Sequence, residues 1–139
     1  MDVQGMRREN RSMSNENSPQ REYFSATKPF ANAAVYTPAV AFGDHVYLAG
    51  KTSWNAPDPT DIRSCTKHVL DEIEKELINA GSSMEQVLKV TVYLRNIDDW
   101  DALNEVYIGR FGPNPPARTT IGAILPRDSR VGIDVIAHR

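Results

Sequence analysis

Cysteine is nearly absent: Cys65 is the one thiol in 139 residues. A lone thiol closes no disulfide within the chain, so the fold has to rest on its core, and a reducing compartment, the cytoplasm, is expected. Its neighbours Arg63, Ser64, Thr66 and Lys67 suggest a helix, where a cysteine serves as a small packed residue rather than a reactive thiol. Long apolar runs are lacking too. None approaches the roughly 20 residues of a transmembrane helix, and the first residues lack the apolar stretch of a secretory signal. No membrane partner is expected. Arg and Ser near the start suit a mitochondrial presequence, but Asp2, Glu9, Glu16 and Glu22 argue against one.

Histidine is scarce and scattered. His45, His68 and His138 form no pair with ligand spacing, so no metal site is expected; a site role for His138, at the end of a strand, stays open. There is no G-x-S-x-G nucleophile turn and no phosphate-binding glycine loop, and no cofactor is expected. Gly109-Arg110-Phe111-Gly112 is too short, and too near a helix end, to cradle phosphate. Excess positive charge is missing as well. The net charge of −2 gives no general attraction to nucleic acid. Arg7, Arg8, Arg11 and Arg21 are interleaved with acids and read as a solvated tail. The rest has no basic stripe alternating with aromatics, so no nucleic-acid partner is expected.

What is present is an ordinary globular composition, 40% apolar and 24% charged, at a length that fits one domain. Residues 1–28 hold few large apolar side chains. They are expected to be disordered, or to form an arm docking on a neighbouring subunit through Tyr23 and Phe24. The folded domain is expected over 29–139. Ala33 to Val40 is β-prone but interrupted by Pro38, which suggests an edge strand or a strand end. Gly43-Asp44 joins Ala39–Phe42 to His45–Gly50 as a hairpin. A loop is expected over 51–60. From Thr60 to Ala80, Ile62, Thr66, Val69, Leu70, Ile73 and Leu77 recur at helical spacing, with Thr60 or Asp61 as cap and Gly81 as stop.

Ser82 and Glu85 have the spacing of a capping box opening a short turn. Val87–Leu94 alternates as a strand, with Val90, Val92 and Leu94 on one face and Lys89, Thr91 and Tyr93 on the other. A second helix is expected over Trp100–Phe111, then strands over Arg118–Leu125 and Val131–His138, the latter after a turn at Pro126-Arg127-Asp128-Ser129. The order β-β-α-β-α-β-β predicts an α+β fold: one mixed sheet with two helices on one face. Its open face favours oligomerisation. The segment Pro116-Ala117-Arg118-Thr119-Thr120 puts an arginine at a strand start after a rigid proline run. There it can hold a carboxylate by two parallel hydrogen bonds, or be an ordinary ion-paired arginine.

Ala80-Gly81, Val87–Leu94, Asn104-Glu105-Val106-Tyr107, Pro116–Thr119, Leu125-Pro126 and Val131–Ala137 occur in the order and spacing of the RidA/YjgF family, which the chain resembles over about residues 33–138. The resemblance implies the RidA, chorismate mutase-like fold, a barrel-like homotrimer, and clefts between subunits. It implies deamination of small carboxylate-bearing imines or enamines, such as 2-aminoacrylate or an aminomuconate, with release of ammonia. Older descriptions call some members endoribonucleases, which the charge balance here does not favour. Position by position, the resemblance implies that Arg118 grips the substrate carboxylate. Tyr36 would line the cleft, the Gly50 N–H would hold the ligand, and Thr120 would stand at the place of a frequent cysteine. Asn104 and Tyr107 would be structural.

The departure is at Gly132, where the deaminases carry a glutamate that handles the attacking water. Glycine has no proton acceptor. It would leave a larger cleft that takes a bulkier or dianionic ligand. Asp134, on the same strand face, could take over that role through a bridging water, or be a structural acid, as acids at this position commonly are in the family. Lys51 could add positive charge to the cleft or simply be exposed. Trp54 could form an aromatic wall or cover the helix. An imine or enamine deaminase is the leading reading. A trimer that binds a metabolite or steadies a partner, without turnover, is the alternative.

Overall fold

The computed structural model describes residues 18–25 and 35–139. In chain order these form strands β1 (Arg21–Phe24), β2 (Ala39–Phe42), β3 (His45–Leu48) and β4 (Lys51–Thr52), helix α1 (Ile62–Asn79), strand β5 (Val87–Leu94), helix α2 (Trp100–Tyr107), and strands β6 (Ala117–Gly122) and β7 (Val131–His138). One sheet takes the order β1-β2-β3-β7-β5-β6, with β4 also paired to β7. All pairs are antiparallel except β5 with β6. This is the mixed sheet with two helices expected from the element order.

The helices form because their apolar spacing gives each a stripe to bury. Along α1, Val69, Leu70, Ile73 and Leu77 are fully buried, and they meet Val90, Val92, Leu94, Ile133 and Val135 of the sheet in one core. Each such side chain stabilises the fold by roughly 1.5–3 kcal/mol relative to exposure. Asp61 caps the start, accepting from the Arg63 and Ser64 amides. Gly81, at φ +81°, ends the helix: the Gly81 amide reaches the Ile78 carbonyl and the Ser82 amide the Leu77 carbonyl. That paired closure needs a left-handed residue, which glycine supplies without penalty.

Several boundaries differ from expectation. Arg21–Phe24 was expected within the N-terminal extension but is a strand, with Tyr23 opposite Val40 and Phe24 opposite Ala39. Arg139 fastens it: the guanidinium donates to both Glu22 carboxylate oxygens, at 2.8 and 3.1 Å, and lies 5.9 Å from the Phe24 ring centre. Pro38 stands at a strand end, since β1 covers β2. Lys51–Thr52, expected in a loop, pairs with β7; two residues are too few to show a period.

α2 stops at Tyr107 rather than Phe111. Ile108 leaves helical backbone and Gly109 takes φ +79°, yet Phe111 folds back with its ring centre 5.0 Å from that of Tyr107. The apolar spacing thus outlasts the helix. The expected capping box is not formed, because the Ser82 hydroxyl donates to the His138 carbonyl at 2.6 Å and Ser83 is the cap residue of the short turn. β6 ends at Gly122, short of Leu125, so Ile124 is exposed and Leu125 turns inward.

The face of the sheet away from the helices carries Lys89, Thr91 and Tyr93 of β5. Beside them in register stand Ala117, Thr119 and Ile121 of β6, and Ile136, Asp134 and Gly132 of β7. The Lys89 amine donates to the Thr119 hydroxyl at 2.8 Å, which confirms the shared face.

Candidate functional site

Arg118 lies on the outer strand β6, opposite Val90, and so faces the helix layer. There its guanidinium carbon sits 4.6 Å from the Tyr107 ring centre and 5.0 Å from that of Trp100. The two aromatics are seven residues apart on α2, two helical turns, and therefore stack on one side of it. Each contact of this kind is worth about 0.5–2 kcal/mol, depending on desolvation. The Arg118 Nε–H donates to the Thr120 hydroxyl at 2.8 Å. Thr120 thus orients the guanidinium through its side chain, two residues along the same strand face.

Burial pushes the Tyr107 phenol above its ordinary value, and the Arg118 charge beside it pulls the other way. Its hydroxyl is buried and has no hydrogen-bond partner among the described residues. Tyr107, expected as structural, is therefore part of the arginine's wall. Trp100, expected only to open a helix, is the other part; its spacing of seven from Tyr107 is the signal that could have found it.

The second half of the site is on the other face. The Tyr93 hydroxyl donates to Asp134 Oδ2 at 2.9 Å. That hydrogen bond, with a smaller effect of burial, raises the Tyr93 phenol above its ordinary value. Gly50 lies beside this carboxylate: a side-chain carbon there would stand 4.0 Å from the Asp134 Cβ and 3.9 Å from the Ile133 carbonyl. Gly132 faces Tyr93 in the strand pair. Tyr93 carried no assigned role from sequence, although alternation already put it on this face.

Gly132 is buried, and a Cβ there would stand at ordinary contact distance, 3.4 Å from the Thr52 methyl and 3.5 Å from a Leu125 methyl. One expectation needs correcting. Lys51 neither lines this face nor stays exposed: its amine pairs with Glu76 of α1 at 3.4 Å, and Glu76 is 2% exposed. Because Lys51 is opposite the core residue Ile133, its side chain leaves on the helix side. Trp54 carries the Arg127 guanidinium 4.4 Å from its ring centre. Tyr36 stands three residues before β2 and is half exposed.

One chain does not bring the whole set together. Arg118 and Thr120 are on the helix side of the sheet, and Gly132 and Asp134 on the open side. Among the described residues no cluster of three metal-ligating side chains occurs, and no helix is long and apolar enough to cross a membrane. Cys65 is buried, its thiol directed at the Asp58 and Pro59 carbonyls, and burial raises it above its ordinary value.

The profile of the family described as Endoribonuclease L-PSP matches residues 26–139. A RutC family protein of Pyrococcus abyssi is 34% identical over 109 residues, covering 75% of this chain and 86% of the relative. A 2-iminobutanoate/2-iminopropanoate deaminase of Dermatophagoides farinae is 34% identical over 109 residues, covering 73% and 83%. The crystal structure of a Mycobacterium tuberculosis member of the YjgF/YER057c/UK114 family superposes with a TM-score of 0.75 at 27% identity, covering 86% of this chain and all of the other. With a family profile spanning most of its length, and a relative 34% identical over three quarters of it, this chain belongs to the Endoribonuclease L-PSP, or RidA/YjgF, family.

Proposed function

We propose that the protein hydrolyses a small carboxylate-bearing imine or enamine, releasing ammonia and a keto acid. The observation that carries this reading is the posture of Arg118. Two aromatic rings and Thr120 hold the guanidinium at one nitrogen and across its faces, which leaves its terminal N–H groups for a carboxylate. Relatives named as iminobutanoate/iminopropanoate deaminases at about a third identity support the same class of substrate.

The chemistry asks little more. Water adds through its oxygen to the imine carbon, a proton passes to the nitrogen, and the resulting aminoalcohol collapses to a carbonyl as ammonia leaves. Holding the imine and a water together supplies much of the rate. On the open face Asp134 is the acceptor that can orient such a water, with the Tyr93 hydroxyl fixing its second oxygen. Since the sheet separates Arg118 from Asp134, the working site is built between copies of the chain. The homotrimer implied by the family resemblance would supply that arrangement.

A second reading, binding without turnover, draws on Gly132. A residue with no acceptor, flanked by two methyl groups, offers nothing to activate water at that position.

The test is ammonia release from freshly generated 2-aminoacrylate by the protein and by Arg118→Ala. Acceleration that disappears in the variant is expected. A folded, assembled protein that gives no acceleration would rule the deaminase reading out and leave the binding role.

A further inference from the structure

A cavity of about 460 Å³ opens where the strands β5 and β7 meet the loops at one end of the sheet, and Trp54, Thr60, Arg95, Arg127, Asp128 and Arg130 line it. Three guanidinium groups share this space with a single carboxylate, so its walls carry a net charge of +2 (three minus one). That carboxylate does little to neutralise them. Among the described residues Asp128 pairs with Arg95 alone, at 3.2 Å, and is itself 93% exposed, where an ion pair is worth little. The nearby Asp58 carboxylate is taken up by Thr60, accepting from its amide and hydroxyl at 3.0 and 2.6 Å.

The arginines are also underused as donors. Arg127 makes no hydrogen bond among the described residues; it is held only by its stack on Trp54. Arg130 spends its Nε–H on the Pro59 carbonyl, at 3.2 Å, which leaves its outer fork for another partner. The loop presents them in an unfavourable conformation: Arg127 and Asp128 are consecutive non-glycine residues at φ +54° and +56°. Left-handed backbone of this kind is found where surrounding structure enforces it, often at binding sites.

We infer that this cavity binds a compact dianion, the group shared by phosphate monoesters and small dicarboxylates, with Arg127 and Arg130 as its forks and Trp54 as its floor. The charge matches, bidentate guanidinium contacts suit either oxyanion, and the volume accommodates a small molecule. Arg118 faces the α2 aromatics and takes no part, so the site stands or falls separately from the deaminase reading.

The experiment follows the indole N–H signal of Trp54, assigned with Trp54→Phe, while the full chain is titrated with inorganic phosphate or malonate. Ionic strength is held constant with chloride, because screening alone alters surface electrostatics. We expect a saturable shift, about tenfold weaker binding in Arg127→Ala and in Arg130→Ala, and no change in Arg118→Ala. Tighter phosphate would assign a phosphorylated ligand and tighter malonate a dicarboxylate. Arg127→Lys, which keeps the charge and loses the fork, guards against a folding artefact and should also bind more weakly. The proposal is overturned if neither anion moves the Trp54 signal beyond chloride, if the arginine variants bind as well as the unaltered chain, or if Arg118→Ala abolishes the shift.

Discussion

Tyr93 donates its hydroxyl to Asp134 at 2.9 Å across neighbouring strands, on the face of the sheet that Arg118 does not share. Among the described residues this pair is the acid–base assembly beside Gly132, and the proposed reaction depends on it.

Asp134→Asn should lower ammonia release from 2-aminoacrylate by about a hundredfold, within the ordinary range for a group that handles a proton. Tyr93→Phe should lower it less, since the carboxylate remains and loses only its orienting partner. Unchanged turnover in Asp134→Asn would remove this carboxylate from the mechanism.

The same hydrogen bond has a signature in stability. The Tyr93 phenol is raised above 10.0 in the folded chain, so the protonated form is favoured there. Its contribution is complete below pH 10.0 and fades as pH rises through the higher folded value. Urea unfolding between pH 8 and 11 should therefore decline less steeply in Tyr93→Phe than in the unaltered chain.

The glutamate that the family resemblance implies at position 132 can be put back. In Gly132→Glu the new Cβ would stand 3.4 and 3.5 Å from the Thr52 and Leu125 methyls, ordinary contact distances, on the strand face that also carries Asp134. The variant should stay folded and raise ammonia release. A variant that is stable yet no faster would show that the glutamate position is not limiting.

Lys51→Ala should destabilise the chain by about 1.5–3 kcal/mol, because it removes one charged partner of the buried Glu76 carboxylate. It should leave the affinity for a carboxylate ligand unchanged. Thermal unfolding and a binding titration together separate this structural role from the charged cleft expected from sequence.

Glu22 is held below its ordinary value by the Arg139 hydrogen bond and charge. The β1 tether should therefore persist above pH 4.5 and loosen as pH falls through the lower folded value. Hydrogen exchange at Tyr23 and Phe24 should accelerate there, and Glu22→Gln should show fast exchange at neutral pH.

The parts of the fold legible in sequence are those with enough repeats of a period. Val87–Leu94 and Val131–His138 each show eight residues of alternation or near-continuous apolar character, and both strands occur as expected. Asp61, Gly81 and the Gly43 turn carry local chemistry and were readable for that reason. The β1 strand is different: it is held by Arg139, more than a hundred positions away, and nothing local announces it. Lys51 shows the same limit at the site, since its partner Glu76 lies on a helix whose packing must first be known. Arg118 could be singled out from its segment, but not its stack on Trp100 and Tyr107, because that needs the crossing of α2 over the outer strand.

A sheet that puts the carboxylate grip on one side and the water-handling carboxylate on the other has a genetic consequence. If each complete site takes its two halves from different copies, two dead variants can repair one another. Arg118→Ala and Asp134→Asn chains, unfolded together in equal amounts and reassembled, would make about a quarter of their sites from two intact halves. Activity would then emerge from a mixture of inactive parents, as in intragenic complementation, and would be absent if either chain were assembled alone.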